Sequence, residues 1–161
     1  MKISLNWLKK YVEIPVSDEE LIRLIGARLV DVEGVIDETH KYDGIKVVRV
    51  ESAEKIEGTH LTLCMVNDGS AELTQVLCGA PNVHEGLVGI FAPVGALIPC
   101  YGECLTAAKI RGVASFGMMC SEKELMVGDD HTGIIELPQD TEIGKPAAEV
   151  LNIDPVIEVS I

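Results

Sequence analysis

Residues 109–125, KIRGVASFGMMCSEKEL, gather side chains that could do chemistry, and His131 follows soon after. Cys120 and Ser121 are adjacent nucleophile types, with His131 or His84 as the base such a nucleophile needs. That chemistry requires the base within hydrogen-bond reach and a third group to orient it, and spacing along the chain supplies neither. Flanked by Gly117, Met118 and Met119, Cys120 reads instead as a buried residue at a strand end. Lys109 and Arg111 alternate, which on a strand puts both on one face. With Lys123 nearby they are the best basic cluster in the sequence.

Two other stretches carry site-like residues. LCGAPNVHEG (77–86) has the glycines of a phosphate loop but matches neither GxGxxG nor GxxxxGK[ST]. Its residues fit a turn, with Gly79 for an unusual φ, Pro81 to fix the chain and Asn82 to bond its own backbone. GDDH (128–131) offers carboxylates, yet the ligand spacing of a calcium loop is absent, and a solvated turn is expected. The cysteine count is five, and no paired CxxC spacing appears. Reduced, mostly buried thiols are therefore expected, rather than a disulfide framework or a zinc site.

These residues must be positioned by a chain of 161 residues, 47% hydrophobic and 24% charged, which suits a packed domain rather than a disordered segment. No apolar run reaches the ~18 residues of a membrane span. The N-terminal MKISLNWLKKYVEIP is too interrupted by Asn, Lys and Glu for a signal peptide, so no membrane partner and a cytoplasmic location are expected. The formal charge of −13 opposes nucleic acid at long range, and residues 42–147 hold 7 basic against 15 acidic side chains. Any nucleic-acid function must rest on a local patch.

Helical patterning dominates residues 1–41. Ser17 with Glu20 forms a capping-box pair ahead of Leu21, Ile22, Leu24, Ile25 and Leu29, and a shorter helix is expected over Leu5–Tyr11. From Ile45 the pattern turns to alternation. IKVVRVESAEKI, LTLCMV, AELTQVLC, LVGIFAPV and GIIEL read as five strands, with NDGS (67–70) as a hairpin signal. Short strands with little helix indicate a small sandwich or barrel. A short helix, AAEVLNI, precedes DPVIEVSI, which reads as a strand with no chain left to pair against, as expected of a piece of a longer protein.

Four blocks in order, SLNWLKKYVEIP, VLCGAPNV, KIRGVASFGMMCSEKEL and DHTGIIELP, resemble the start of the β subunit of bacterial phenylalanyl-tRNA synthetase. The resemblance implies a mainly β fold with flanking helices. A five-stranded OB-fold tRNA-binding barrel over residues 42–147 would be inserted in a partial α/β domain built from residues 1–41 and 148–161. It places Lys109 and Arg111 on a barrel-closing strand, Gly112 and Gly117 at turns, and Lys55 and His60 in the turn before the second strand. It implies no catalytic site and no cofactor in these residues. ATP and Mg²⁺ belong to the full enzyme, whose partners are phenylalanine-specific tRNA and an α subunit in an α2β2 assembly. The alternative is an OB-fold protein-interaction module, which the acidic charge suits.

Overall fold

A computed structural model describes all residues, 1–161. The chain opens with β1 (Lys2–Ser4), α1 (Leu5–Lys9), α2 (Asp18–Arg28) and β2 (Val32–Ile36). Next come β3 (Lys46–Lys55), β4 (Thr62–Asn67), β5 (Thr74–Cys78) and β6 (Val88–Pro93). Four short strands follow: β7 (Leu97–Ile98), β8 (Glu103–Cys104), β9 (Ala108–Ile110) and β10 (Val113–Ser115). The chain finishes with β11 (Gly117–Met119), α3 (Ala147–Val150) and β12 (Val156–Val159). Two compact units result, one from Met1–His40 with Asn152–Ile161, the other from Lys41–Leu151.

In the first unit both expected helices form, each with a serine at its N-cap. Ser4 Oγ accepts from Trp7 N at 2.9 Å, and Ser17 Oγ accepts from Glu20 N at 3.3 Å. The capping box is half made, because the Glu20 carboxylate turns to Arg23 instead of reaching back. The helical reading of residues 1–41 missed β1 and β2, and DPVIEVSI is not unpaired. Its strand β12 is the middle of an antiparallel sheet ordered β1-β12-β2, with Ile3 opposite Ile157 and Val35 opposite Ile157 on the other side. Leu5, Ile25, Ile157 and Val159 form the buried core of this unit.

The second unit is a five-stranded antiparallel sheet ordered β11-β6-β3-β4-β5, curled until β11 comes back beside β5. Strand β3 makes the curl possible. Its first half pairs with β6 and its second half with β4, and a register shift between Val50 and Ser52 bends it from one to the other. Gln75 Nε2 donates to Ala114 O at 2.7 Å, Phe116 N to Gln75 O at 2.9 Å, and Leu77 N to Ser115 Oγ at 3.0 Å, nearly closing the barrel. Alternation fills the interior: Thr62, Cys64 and Val66 point in from β4, meeting Val48, Val50, Val76, Leu87, Phe91 and Met119. At the end of the hairpin that NDGS marks, Lys46 Nζ sits 2.6 Å from Asp68 Oδ2. That bond, aided by Ser70, holds the Asp68 carboxyl well below the usual carboxylate range.

The fifth strand is not GIIEL. It is Gly117–Met119, which pairs with β6 as Gly117 with Pro93 and Met119 with Phe91. Gly117 is therefore not a turn residue. A Cβ there would overlap the Phe91 ring, so glycine is required by close approach rather than by φ. GIIEL runs as an irregular segment tied by single bonds, Ile135 N to Cys120 O at 3.0 Å and Leu137 N to Val88 O at 2.8 Å.

Candidate nucleic-acid interface

Two loops of the barrel meet. The β3–β4 loop, residues 56–61, begins after Lys55 and carries His60. It is held by its own bonds: Ile56 N to Leu61 O at 2.9 Å, Thr59 N to Ile56 O at 3.1 Å, and Leu61 N to Thr59 Oγ1 at 3.0 Å. The long β6–β11 connection, residues 94–116, contains the β9–β10 hairpin, in which Ile110 pairs with Val113 and Lys109 with Ala114. Arg111 and Gly112 are its two loop residues, with φ of 50° and 83°, the positive pair that a tight twisted hairpin demands. Gly112 is thus at a turn as expected, but Arg111 is at the tip and not on the strand beside Lys109. From the tip its Nη1 donates to Gly58 O at 3.4 Å, joining the two loops.

The structure so brings Arg111 onto the loop that Lys55 and His60 bound, with Lys109 on the adjoining strand. It does not bring Lys123 there. Lys123 lies in the turn after β11, where its N donates to Asp130 O at 3.1 Å. Four aromatics fall in the barrel sequence, and two are spent on the core: Phe91 is buried, and Tyr42 is buried with its hydroxyl donating to Leu125 O at 2.7 Å. Phe116 and Tyr101 stay exposed, at 47% and 61%, on the same long connection as Lys109 and Arg111. Exposed rings beside cations are the usual means of holding single-stranded nucleic acid.

The nucleophile pattern does not assemble. Cys120 is fully buried, and burial pushes its thiol up to about 12, so no thiolate is on offer near neutrality. Ser121 Oγ bonds the Glu124 carboxylate, not an imidazole, and His84 Nδ1 is bonded to Asn82 O at 2.9 Å. In GDDH, Asp130 accepts from Thr132 N at 2.9 Å and Thr132 Oγ1 at 2.7 Å, a self-contained turn that lowers its pKa. No group of three or more His, Cys, Asp or Glu is placed to hold a metal ion.

The 77–86 stretch is a turn, though its residues work differently from the expectation. Gly79 is not at positive φ; its bare Cα faces His60, whose ring carbon would lie 3.3 Å from an added Cβ. Asn82 bonds another segment rather than its own backbone. Its Nδ2 donates to Ile134 O at 2.9 Å and Glu136 Oε1 at 3.0 Å, and its Oδ1 accepts from Ile134 N at 3.0 Å. Between this turn and the end of β11 opens a cleft of about 290 Å³, bordered by Leu77, Gly79, Met118, Ser121, Glu124 and His131. Sequence reading gave Glu124 no role. The available signal was Ser121 three residues ahead of it, the spacing at which a serine and a glutamate bond each other.

Residues 45–146, the barrel with both loops, match the family described as "Putative tRNA binding domain". The chain belongs to that family. Over its whole length this tRNA-binding-domain chain is similar to phenylalanine–tRNA ligase β subunits. It is 40% identical over 162 residues to that of Rhodospirillum rubrum, and 43% identical over 164 residues to that of Xanthomonas oryzae pv. oryzae. It spans about a fifth of those relatives, 20% of each. Among solved structures, a MetRS-related protein from Pyrococcus horikoshii overlays with a TM-score of 0.47 at 27% identity, over 64% of this chain and 87% of that one.

Proposed function

We propose that this chain is the non-catalytic, tRNA-binding portion of a phenylalanine–tRNA ligase β subunit, and that its barrel holds the tRNA backbone at the rim where the two loops meet. The observation that carries the reading is the Arg111 to Gly58 bond, within a barrel of the tRNA-binding family. It fixes a guanidinium beside the loop of Lys55 and His60, with Lys109 on the strand behind and Phe116 exposed on the same connection. Guanidinium and ammonium groups contact phosphates without reading sequence. The whole protein would attach phenylalanine to its tRNA with ATP and Mg²⁺, in a cytoplasmic α2β2 assembly with an α subunit. In this reading ATP and Mg²⁺ act in parts of the enzyme outside residues 1–161.

A salt titration of binding to tRNA-Phe and to an unrelated tRNA tests this. Three cationic contacts, from Lys55, Lys109 and Arg111, give a log–log slope of about −2 to −3, and affinity in the ~10⁻⁴–10⁻⁶ M range of backbone binding, similar for both tRNAs. The double variant Lys109→Ala/Arg111→Ala weakens binding and flattens the slope by about 1.5 to 2, while Lys123→Ala changes neither. Sub-micromolar binding confined to tRNA-Phe would refute a backbone rim. No binding even at low salt would favour the protein-interaction reading, which the formal charge of −13 supports.

A further inference from the structure

The cleft between β11 and the 77–82 turn differs in chemistry from the rim. No lysine or arginine borders it, and its one carboxylate is Glu124. Ser121 fixes that carboxylate: Ser121 N donates to Glu124 Oε2 at 2.6 Å, and Ser121 Oγ bonds the same oxygen. Glu124 Oε1 has no protein partner and remains an acceptor for a donor entering the cleft. Leu77, Met118 and His131 border it, while Met119 and Ile134, which also line it, are buried in the barrel core. Thioethers make favourable contacts with flat rings, and histidine stacks on bases. A volume of about 290 Å³ lies at the lower limit of small-molecule pockets, enough for a single heterocycle.

Resting on the tRNA-binding reading, we infer that this cleft receives one unpaired nucleobase whose pairing edge carries an amino group where uracil and guanine carry a carbonyl, namely the 4-amino group of cytosine or the 6-amino group of adenine, which donates to Glu124 while the ring lies against Met118 and His131. A carboxylate accepting from cytosine N4 is an established pairing geometry. A phosphate is disfavoured at the same place, because no cation lines the cleft and Glu124 repels it. The cleft also shares a wall with the rim. Gly79 borders it, and a Cβ at Gly79 would lie 3.3 Å from the ring of His60 in the β3–β4 loop. A backbone held at the rim therefore has its neighbouring base within reach of the cleft.

The test titrates the chain with free nucleosides while following the methyl signal of Met118 by NMR, with the core Met119 and Met65 of β4 as references. Cytidine and adenosine move the Met118 signal at millimolar concentration, and uridine does so about tenfold more weakly. Glu124→Gln is the decisive variant. Its amide oxygen still accepts from Ser121 N, so its NH₂ group faces the cleft, and the preference inverts toward uridine, whose O4 is an acceptor. Equal responses to all nucleosides, no response, or a cytidine preference that survives Glu124→Gln overturns the inference. So does a response to n-butylammonium without one to cytidine, which would assign the cleft to a basic side chain of a protein partner. The rim stands or falls separately: a failed nucleoside titration with intact, Lys109- and Arg111-dependent tRNA binding removes the base pocket alone. Loss of tRNA binding with intact cytidine signals removes the rim.

Discussion

Asn82 is the clamp between the 77–82 turn and the segment that the sequence suggested as a fifth strand. Asn82→Ala deletes two bonds to the main chain of Ile134, at 2.9 and 3.0 Å, beside a residue that is 8% exposed and part of the barrel core. At about 1 kcal/mol net for each bond, the loss is about 2 kcal/mol, or roughly 8 °C in Tm at roughly 4 °C per kcal/mol for a domain of this size. Asn82→Asp is the sharper probe. It keeps the acceptor for Ile134 N but turns the donating Nδ2 into a second carboxylate oxygen, facing Ile134 O and the Glu136 carboxylate. At pH 7 it should cost at least as much as the alanine. The new carboxyl has a folded pKa raised above its unfolded value of about 3.9, so its penalty applies at pH above the folded pKa and fades as pH falls through it. Urea unfolding at pH 7 and pH 4 should then show Asn82→Asp regaining about 1 kcal/mol relative to Asn82→Ala. An alanine variant within about 0.5 kcal/mol of the parent, a difference typical of neutral surface changes, would refute the clamp. An aspartate variant as stable as the parent at pH 7 would refute the donor assignment.

Asp68, held down chiefly by its bond to Lys46, stabilises the barrel above its ordinary value of 3.8 and loses that contribution as pH falls toward its depressed folded value. Asp68→Asn should lower stability at pH 7 and flatten the decline below about pH 4, read from urea unfolding across that range; an unchanged acid limb would contradict the pairing. Thiol labelling should find two fast groups, exposed Cys100 and Cys104, while Cys64, Cys78 and Cys120 react only as the chain opens. Burial pushes the Cys64 and Cys120 thiols up to about 11 and about 12, so a third fast thiol at neutral pH would contradict the packing.

What was legible in the sequence was what local chemistry decides. Ser17 caps α2 because a serine oxygen satisfies an N–H three residues on, and NDGS starts the link from β4 to β5 because the side-chain oxygens of Asn67 and Asp68 accept from backbone N–H groups two residues on. Alternation in LTLCMV sends Thr62, Cys64 and Val66 inward. Long-range pairing was not legible. Strands β1 and β2 are short and gain their identity only from β12, which arrives at the far end of the sequence. GIIEL has better strand patterning than GMM, but Phe91 packs against a position with no Cβ, and Gly117 supplies it. The Arg111 turn was within reach: a two-residue X-Gly loop between Ile110 and Val113 is a hairpin signature, and it outweighs the alternation of Lys109 with Arg111. The spacing of Ser121 and Glu124 signalled their bond, but that Glu124 borders a cleft emerged only from the packing.

The formal charge of −13 and a tRNA-binding family are compatible because charge is not distributed evenly among partners. Of the cations, Lys2 pairs with Glu158, Lys9 with Asp18, Arg23 with Glu20 and Lys46 with Asp68. Asp37 and Asp130 are occupied by their own threonines. Lys55, Lys109 and Arg111 form no ion pair, so a phosphate meeting them displaces water and counterions but no carboxylate. Screening confines such contacts to about 8 Å at physiological salt. Within that range the rim's own groups decide the interaction, while the remaining acids reduce only long-range attraction. An acidic barrel of this kind gains little from electrostatic steering. Any contact it makes with a polyanion would therefore depend on groups held at short range, such as Lys55, Lys109 and Arg111, and not on attraction from a distance.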